Sequence, residues 1–523
     1  MSGKRSQATT LVDLALETAD LELFHTADGE AFVTLPAGTH VETWPLRGGP
    51  ARRWLSRLFF EREATAAGSQ AMQDALGVLE GIAAFRGAEH DVHLRLAEHE
   101  GAIYIDLADE YWRTVRIDGD GWEIVADAPV RFRRPRGMRP LPYPVAGGTL
   151  DELREFVNVD DEQWPLLAAW TVAALRPRGP FPIAAVHGEQ GSAKSTTVRV
   201  LRELIDPNVA ALRSEPRDGR DLMIAARNGW VCAFDNMSNL SPWLSDALCR
   251  LSTGGGFATR ELFTDSDELL IDVQRPCAVN GIGELATRGD LLDRAVVLYL
   301  PRIDRYRPED EFWAAFQQAR PRILGALLDG VSAALANIHE IKLDRPPRMA
   351  DFAYWAVAAE PALGLDDGSF LDAYSTNRAD ATALTLESSP VTEPLRTIAE
   401  TEFVGTATEL LARLAGLAGE DVTRRKTWPG NATALAGTLR RLAPNLRAIG
   451  VTVDFSRGTG RRRSRLITIG TAAESSVQTV RSVRDPATSD AADAADAADA
   501  DSGPRSNGST PAHTTENIAE GTR

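Results

Sequence analysis

Residues 188–195 read Gly-Glu-Gln-Gly-Ser-Ala-Lys-Ser. An apolar run, Phe181–Val186, precedes this stretch, and a helix-compatible segment, Thr196–Ile205, follows it. A loop of the form G-x-x-x-x-G-K-[ST] between a strand and a helix is typical of phosphate binding, because its glycines let consecutive backbone N–H groups face one anion. The alternative is an ordinary loop rich in Gly and Ser, which the strand and helix on either side disfavour.

ATP and Mg²⁺ are the ligands that this loop predicts. Lys194 is expected to reach the β- and γ-phosphates and Ser195 to hold Mg²⁺, while the helix N-terminus adds partial positive charge. Ala193 departs from the pattern, since it stands where the second glycine is usual. The predicted nucleotide contacts are Gly188, Glu189, Gln190, Gly191, Ser192, Ala193, Lys194, Ser195 and Thr196.

A second acidic element follows about forty residues after the loop. The apolar run Trp230–Phe234 ends in Asp235, which is predicted to coordinate Mg²⁺ with Ser195. The alternative is a buried strand that ends in an Asx turn. Asn236 follows where a water-activating glutamate is common, and an amide cannot accept a proton. Asp235 itself or Glu189 is therefore the candidate base, or hydrolysis is slow.

Further elements follow in an ordered series. A helix over Ser241–Leu251 precedes two strand-like runs at 257–263 and 269–273, which predict a hairpin. A buried strand then ends in Asn280, and Arg294 directly precedes the strand Ala295–Leu300.

This order resembles the AAA+ ATPases of the superfamily 3 helicase group, and most closely the primase-helicase ATPases of phages and integrative elements. The resemblance covers about residues 150–340 and implies an α/β P-loop AAA+ core, a mostly parallel sheet flanked by helices. It implies that Asn280 polarises the attacking water and that Arg294 is a finger received by a neighbouring subunit, so that the chain forms homo-oligomers, possibly hexameric rings. Lys194, Asp235, Asn236, Asn280 and Arg294 form the candidate catalytic set. For Arg294 alone, a surface ion pair is the alternative.

The hairpin lies where this group inserts a loop into its DNA channel. Its tip here is acidic, with Asp265, Asp267 and Glu268. Because an acidic tip repels phosphate, a translocating role for the hairpin is in doubt.

Length and composition limit the number of domains and the classes of function that the chain can have. The chain has 523 residues, too many for one hydrophobic core, and a net charge of −17 that argues against a whole-surface nucleic-acid binder but not against a local basic patch. No apolar run approaches a membrane span and the N-terminus lacks a signal core, so a cytoplasmic protein without membrane contact is expected. Three cysteines without metal spacing are expected to be reduced and buried.

The first 150 residues predict a mixed α+β region whose role stays open. It includes a long helical pattern over Ala51–Ile82 and a hairpin over Tyr111–Val125 that turns at residues 118–121. Two pairs there suggest catalysis or metal binding, Asp106 with Asp109 and His90 with His93. The spacing of the carboxylates is three and no further carboxylate follows in a recognisable frame, so surface polar residues on a meander are preferred.

The C-terminal part is basic. Between Arg424 and Arg465 there are 11 Lys or Arg and one acid, Asp454. Helices at 408–417 and from Asn431, followed by a basic two-stranded hairpin, resemble a winged helix. A solvated charged hairpin is the alternative. The candidate DNA contacts are Arg424, Arg425, Lys426, Arg440, Arg441, Arg457, Arg461, Arg462, Arg463 and Arg465.

The predicted organisation is therefore an N-terminal region (1–150), an ATPase domain with a helical lid (151–345), a helical linker (346–400), a basic winged-helix-like domain (401–470) and a disordered Asp/Ala/Ser-rich tail (471–523). The leading functional hypothesis is a DNA helicase or replication-initiation ATPase of a phage or mobile element that works with DNA and other replication proteins. An ATP-dependent DNA-binding switch or loader is the second hypothesis. A small-molecule kinase shares the phosphate loop but leaves Asn280, Arg294 and the basic wing unexplained.

Overall fold

The computed structural model describes residues 5–38, 40–237, 240–255, 257–260, 268–271, 273–281, 289–303, 306–457 and 465–471. All of them belong to one packing unit that spans residues 1–483. Within these ranges no helix is both long enough and apolar enough to cross a membrane. The predicted tail beyond residue 471, Asp265 and Asp267 of the acidic hairpin tip, and part of the basic wing lie outside the described residues.

A small antiparallel sheet covered by three helices forms the N-terminal part. Its apolar core includes Leu11, Val33, Leu55 and Leu79. The helical pattern over 51–82 is two helices, because Ala64 takes a left-handed conformation (φ 53°) that ends the first of them. The elements are α1 (Gln7–Leu16), β1 (Glu22–His25), β2 (Ala31–Ala37), β3 (His40–Pro45), α2 (Gly49–Glu63) and α3 (Ser69–Arg86).

A four-stranded antiparallel meander follows, with strands in chain order. The turn Asp118–Gly121 connects the last two strands, as the sequence predicts. The elements here are β4 (Val92–His93), β5 (Leu96–His99), β6 (Ala102–Asp106), β7 (Thr114–Asp118), β8 (Gly121–Val125) and β9 (Arg131–Phe132), of which β5 to β8 form the meander.

The central sheet is parallel throughout, and its strand order is β11-β14-β10-β15. In parallel sheets the carboxyl ends of the strands meet at one edge, which is where α/β proteins place their ligands. The elements in chain order are α4 (Trp164–Ala173), β10 (Ile183–Gly188), α5 (Lys194–Ile205), α6 (Gly219–Asn228), β11 (Cys232–Phe234), α7 (Pro242–Thr253), β12 (Phe257–Arg260), β13 (Glu268–Ile271), β14 (Cys277–Asn280), α8 (Gly289–Leu292) and β15 (Ala295–Leu300).

Helices cover both faces of this sheet. Alternate residues of β10 enter two different cores, Ala184 and Val186 on one face and Ile183 and Ala185 on the other. Such burial on both sides explains why the strand is an unbroken apolar run. The expected pairing of two strands upstream of β14 is present, since β12 and β13 are antiparallel partners.

A helical segment continues from the last strand of the sheet. It contains α9 (Glu309–Asn337), α10 (Ala350–Ala359), α11 (Ser369–Glu387) and α12 (Thr392–Glu400). Residues predicted as a linker are packed into the sheet's own cores, because Phe352 and Phe370 are fully buried there. Asn377 of α11 also closes the edge of β15 by donating to Val297 O at 2.6 Å and accepting from Val297 N at 3.1 Å. Most of this segment is therefore part of the central region.

The C-terminal part has a core of its own, which includes Leu410, Leu439 and Ile469. Asn431 caps α15 as predicted, accepting from the N–H of Ala434 at 2.8 Å. The structure adds a strand that the sequence did not reveal, so the sheet is three-stranded with order β16-β18-β17. The elements are β16 (Phe403–Gly405), α13 (Ala407–Ala418), α14 (Glu420–Thr423), α15 (Ala432–Ala448), β17 (Val451–Arg457) and β18 (Arg465–Thr471).

Candidate functional site

The phosphate-type loop lies at the carboxyl edge of the parallel sheet, between the end of β10 and the start of α5. Gly188 and Gly191 have positive φ values of 148° and 84°, which glycine adopts without a steric penalty. A Cβ on Gly188 would stand 2.7 Å from Leu300 O, and one on Gly191 would stand 2.6 Å from the Tyr306 hydroxyl. Gly188 is thus required by conformation and by the backbone oxygen beside it, whereas Gly191 is required by conformation, because the exposed Tyr306 side chain can move aside.

Ala193 is the one position where the loop is strained. Its φ of 62° and ψ of 27° are left-handed, so the backbone has the geometry of the usual glycine although the residue is alanine. A left-handed conformation costs an L-residue roughly 1–2 kcal/mol. The departure in sequence therefore changes the stability of the loop but not its path.

The ammonium group of Lys194 is folded back onto the loop. Its Nζ donates to the carbonyl oxygens of Gly188 at 2.8 Å and Glu189 at 2.7 Å. Burial lowers the pKa of Lys194, while the nearby Asp235 carboxylate acts in the opposite direction. The lysine is thus held at the mouth of the loop by weak neutral partners, which an anionic oxygen can replace.

Ser195 and Asp235 meet directly. The Ser195 hydroxyl donates to Asp235 Oδ1 at 2.7 Å, although the residues come from different strand–loop units. Hydroxyl and carboxylate oxygens are hard ligands that suit Mg²⁺, which binds through few protein groups and keeps several waters. These two residues therefore fit the predicted metal.

Asn280, at the carboxyl end of β14, lies beside them. Its Oδ1 accepts from the N–H of Asn236 at 2.9 Å, and the N–H of Met237 donates to its main-chain oxygen at 2.9 Å. Asn280 is 1% exposed, and among the described residues its Nδ2 has no hydrogen-bond partner. A buried amide donor without a partner is costly and indicates a group that a ligand or water satisfies.

The remaining residues of the loop differ in the contacts that they make. Ser192 is fully buried, and its Oγ has no hydrogen-bond partner in the described part of the chain. Its carbonyl oxygen accepts from Asn158 Nδ2 at 3.1 Å, and the same amide donates to Pro301 O at 2.6 Å. Asn158 therefore braces the loop against the segment after β15, a role that no sequence pattern indicated. Among the described residues the Gln190 and Thr196 side chains make no hydrogen bond, and Thr196 lines the cleft beside the loop.

A cleft of about 530 Å³ opens beside Ser195 and Thr196. Aromatic side chains from two separate helical segments, Phe156 and Trp313, line it, and Arg199 lies over the Trp313 ring at 4.1 Å from its centre. Its size and apolar walls are those of a small-molecule site. No sequence pattern indicated this cleft, because its walls come from segments far apart in the chain: residues 155–158, α5, Ile303 and residues 306–313.

Arg294 lies at the opposite edge of the same sheet. Its main-chain oxygen accepts from Ile183 N at 2.8 Å, at the first residue of β10, whereas the phosphate-type loop follows the last residue of that strand. Five residues of strand, roughly 16 Å, separate the two. Arg294 donates through Nη1 to Asp290 O at 2.8 Å. It cannot reach the loop of its own chain.

Two family models match the chain, and their descriptions agree. Residues 149–383 match the actinomycete integrative conjugative element replication protein, RepA, and residues 391–486 match the C-terminal domain of the same protein. Together they cover well over half of the sequence. The chain belongs to this RepA family. It is therefore a replication protein of a mobile element.

Other comparisons add little. No curated protein matches this RepA. Two apo structures of the NrS-1 C-terminal region align with it at 11% identity and a TM-score of 0.38; they cover 89% and 90% of this chain and 99% and 100% of their own. At that TM-score the likeness carries no argument about the fold.

The candidate DNA contacts of this RepA fall within its C-terminal family domain. Arg440 and Arg441 are exposed on α15, and the Arg440 guanidinium lies 4.6 Å from the centre of the Phe455 ring on β17. Arg457 and Arg465 are cross-strand partners at the described ends of the wing. Arg461, Arg462 and Arg463 lie outside the described residues.

The other basic candidates occupy the segment before α15. Arg424 is paired with Glu420 at 2.5 Å, which reduces its availability for phosphate. Arg425 and Lys426 are exposed, and the described structure pairs neither with a carboxylate.

The polar pairs of the N-terminal region have structural partners. Asp106 is fully buried and accepts two hydrogen bonds from Arg134, so it is not the surface residue that the sequence predicted. Asp109 pairs with Arg113 at 2.7 Å, and His90 pairs with Glu22 at 3.0 Å. Among the described residues no group of three or more His, Cys, Asp or Glu is placed to hold a metal ion.

Proposed function

We propose that this RepA binds and hydrolyses ATP with Mg²⁺ and uses the energy to act as a helicase-like protein on DNA. The observation that carries the proposal is the convergence of Lys194, Ser195, Asp235 and Asn280 at one edge of a parallel sheet. Ammonium, hydroxyl, carboxylate and amide groups in this arrangement suit a triphosphate and its metal. The resemblance to AAA+ and superfamily 3 ATPases agrees with this proposal.

Each side chain has a task in the proposed reaction. Lys194 exchanges its carbonyl partners for phosphate oxygens, and the positive φ values of the loop turn backbone N–H groups toward the same anion. Ser195 and Asp235 would hold Mg²⁺, which supplies charge neutralisation on the phosphates. The unsatisfied Nδ2 of Asn280 is a donor for the attacking water or the γ-phosphate. The aromatic cleft beside Ser195 and Thr196 takes the base and ribose.

The position of Arg294 favours a site completed between subunits. Since this guanidinium lies a strand length from its own loop, it can contribute to hydrolysis only in a neighbouring copy. The proposal therefore includes a homo-oligomer in which Arg294 of one subunit faces the phosphate loop of the next. The C-terminal domain, with Arg440 and Arg441 exposed, would hold DNA in that assembly.

A second candidate function is an ATP-dependent DNA-binding switch or loader without unwinding. Asn236 favours it, because the residue after Asp235 cannot act as a base and its N–H is bonded to Asn280. Slow hydrolysis would suit a protein that binds DNA in one nucleotide state and releases it in another.

Steady-state ATP hydrolysis by the full chain, with and without single-stranded and duplex DNA, tests the proposal. We expect turnover that DNA stimulates and that Lys194→Ala abolishes, whereas Arg86→Ala, on the remote helix α3, keeps the wild-type rate. ATP-dependent strand displacement from a forked duplex would establish the helicase, while nucleotide-dependent DNA affinity without displacement would favour the switch. Absence of ATP binding by the wild-type chain contradicts both.

A further inference from the structure

The N-terminal region contains a groove that neither family model covers, since the matches begin at residue 149. The groove has a volume of about 600 Å³ and lies between the β2–β3 hairpin and the first turns of α2. It is separate in sequence from the proposed nucleotide site and from the basic C-terminal domain. Its lining combines indole rings with guanidinium groups.

Two tryptophans form the apolar part of this groove. Trp44 and Trp54 are partly buried against the N-terminal core, so each ring is anchored on one side and open on the other. Trp44 is further fixed by Trp112, whose ring meets it edge-on at 5.2 Å between centres, and by its Nε1 donating to Glu42 at 2.7 Å. Fixed rings with an open face lose little entropy when a planar ligand stacks on them.

Arginines supply the charge. Arg53 and Arg57 line the groove one helical turn apart on α2. Arg57 is paired with Glu61 at 3.5 Å, which leaves Arg53 as the lining arginine without a carboxylate partner among the described residues. A side-chain carbon on Gly49 would stand 3.1 Å from Arg53 Nη1 and 3.9 Å from Arg136 Nη2, so both guanidinium groups lie beside this glycine. In the described part of the chain neither Arg53 nor Arg136 is paired with a carboxylate.

Two guanidinium groups that approach the same residue without carboxylate partners repel each other, and an anion between them lowers that cost. Guanidinium forks bind phosphate bidentately, and the faces of tryptophan rings stack on nucleobases. The combination fits a strand whose bases are unpaired, because stacking on a protein ring requires a base that has left its duplex partner. The one carboxylate among the groove's described lining residues, Glu42, is already engaged by Trp44.

We propose that this groove binds single-stranded DNA, with phosphates at Arg53 in the groove and at Arg136 beside it, and bases on Trp44 and Trp54. The N-terminal region would then hold a separated strand while the C-terminal domain makes its own contacts. This inference does not depend on ATP hydrolysis.

Fluorescence anisotropy of a labelled oligothymidine of about 20 nucleotides, titrated with the full chain at several salt concentrations, tests the proposal. In a background where Arg440 and Arg441 are alanine, the double variant Arg53→Ala/Arg136→Ala is expected to lose about tenfold in affinity at low salt. The slope of log affinity against log salt should fall by about 1.4, or 0.7 for each phosphate contact. The matched control is Arg62→Ala/Arg86→Ala, which removes two exposed arginines of α2 and α3 outside the groove and should leave binding unchanged.

A second variant tests stacking without changing charge. Trp54→Ala should weaken oligothymidine binding by about tenfold and leave the salt slope as it is, and Trp54→Phe should restore most of the affinity. Equal binding by the groove and control variants overturns the proposal, as does an equal loss for duplex DNA. Unchanged DNA binding together with binding of an acidic peptide would also overturn it. The titrations are made without nucleotide, so this test and the ATPase test can fail independently.

Discussion

The Ser195 hydroxyl donates a 2.7 Å hydrogen bond to Asp235 Oδ1, across forty positions of sequence and across a sheet in which β14 lies between their strands. This contact exists because three parallel strands end at the same edge. It brings the hydroxyl of the loop and the first acid after β11 close enough to share one cation.

Removing either partner of this contact is expected to weaken the use of Mg²⁺ in ATP turnover. Asp235→Asn keeps the shape and the hydrogen bond but loses the charge, so ATP turnover should fall by about 100-fold or more. Ser195→Ala should raise the Mg²⁺ concentration needed for half-maximal turnover. Titration of Mg²⁺ at saturating ATP measures both effects, and wild-type Mg²⁺ dependence in the two variants would contradict the assignment.

Asn280→Ala is expected to separate binding from chemistry. The variant removes the unsatisfied Nδ2 donor, whose proposed partner is the attacking water or the γ-phosphate. We therefore expect kcat to fall by about 100-fold while KM changes by less than about threefold. A loss of nucleotide binding of the same size as the loss in kcat would mean that Asn280 only supports the Asn236 main chain. Equilibrium binding of a non-hydrolysable ATP analogue provides the separate measurement.

Mixing two inactive variants tests the intersubunit role of Arg294. Lys194→Ala damages a subunit's own site, whereas Arg294→Ala would damage only its neighbour's. In an equal mixture, about one quarter of the interfaces join an intact loop to an intact finger, so about one quarter of the wild-type rate should return. A mixture that stays inactive after subunits have exchanged, or a fully active Arg294→Ala protein, shows that Arg294 is not a finger.

Asp206 is expected to be a centre of stability for the junction between the meander and the central sheet. Its two oxygens accept from Arg95 Nε at 3.2 Å, Trp230 N at 2.8 Å and Val231 N at 3.2 Å, and the ion pair with Arg95 is almost wholly buried. Asp206→Asn leaves the Arg95 charge uncompensated and should lower the free energy of unfolding by about 3 kcal/mol. Chemical denaturation measures this.

The matched control is Asp161→Asn, which breaks a pair with Arg154 at 2.6 Å in which Asp161 is 95% exposed. A solvent-exposed pair contributes less than about 1 kcal/mol. Equal effects of the two substitutions would contradict the importance of the buried pair.

His93 is expected to make stability fall in mild acid. Burial lowers the pKa of His93 below 6.5, with Arg178 acting in the same direction and Asp91 against it. Below pH 6.5 the unfolded chain therefore binds a proton that the folded chain resists, and stability is lost as the pH falls toward the lowered pKa. Between pH 7.5 and 5.5, His93→Gln should lose less stability than the wild type.

An exposed histidine, in the variant His99→Gln, controls for the loss of one imidazole. Thermal or urea unfolding at both pH values gives the comparison. If His93→Gln and the wild type lose the same free energy of unfolding between these pH values, the burial of His93 is not linked to acid sensitivity.

Local sequence patterns predicted the individual elements well. The glycines and lysine at 188–195 marked a turn between an apolar strand and a helix, and Asn431 marked the start of α15, because caps and tight turns depend on a few neighbouring residues. The prediction of one continuous helix over 51–82 was wrong, because the left-handed conformation of Ala64 ends the first of two helices. The strand β16 was missed because three residues carry almost no periodicity.

The order of the chemical groups could be derived from the sequence: a phosphate-type loop, an acid forty residues later, then an amide and an arginine. Their geometry could not, because it depends on how the strands pack. Parallel strands put Lys194, Ser195, Asp235 and Asn280 at one edge and Arg294 at the other, and the cleft beside them is made from segments far apart in the chain. The distances between such groups depend on strand order and packing across the whole domain, whereas the identity of each group depends only on the residue at one position.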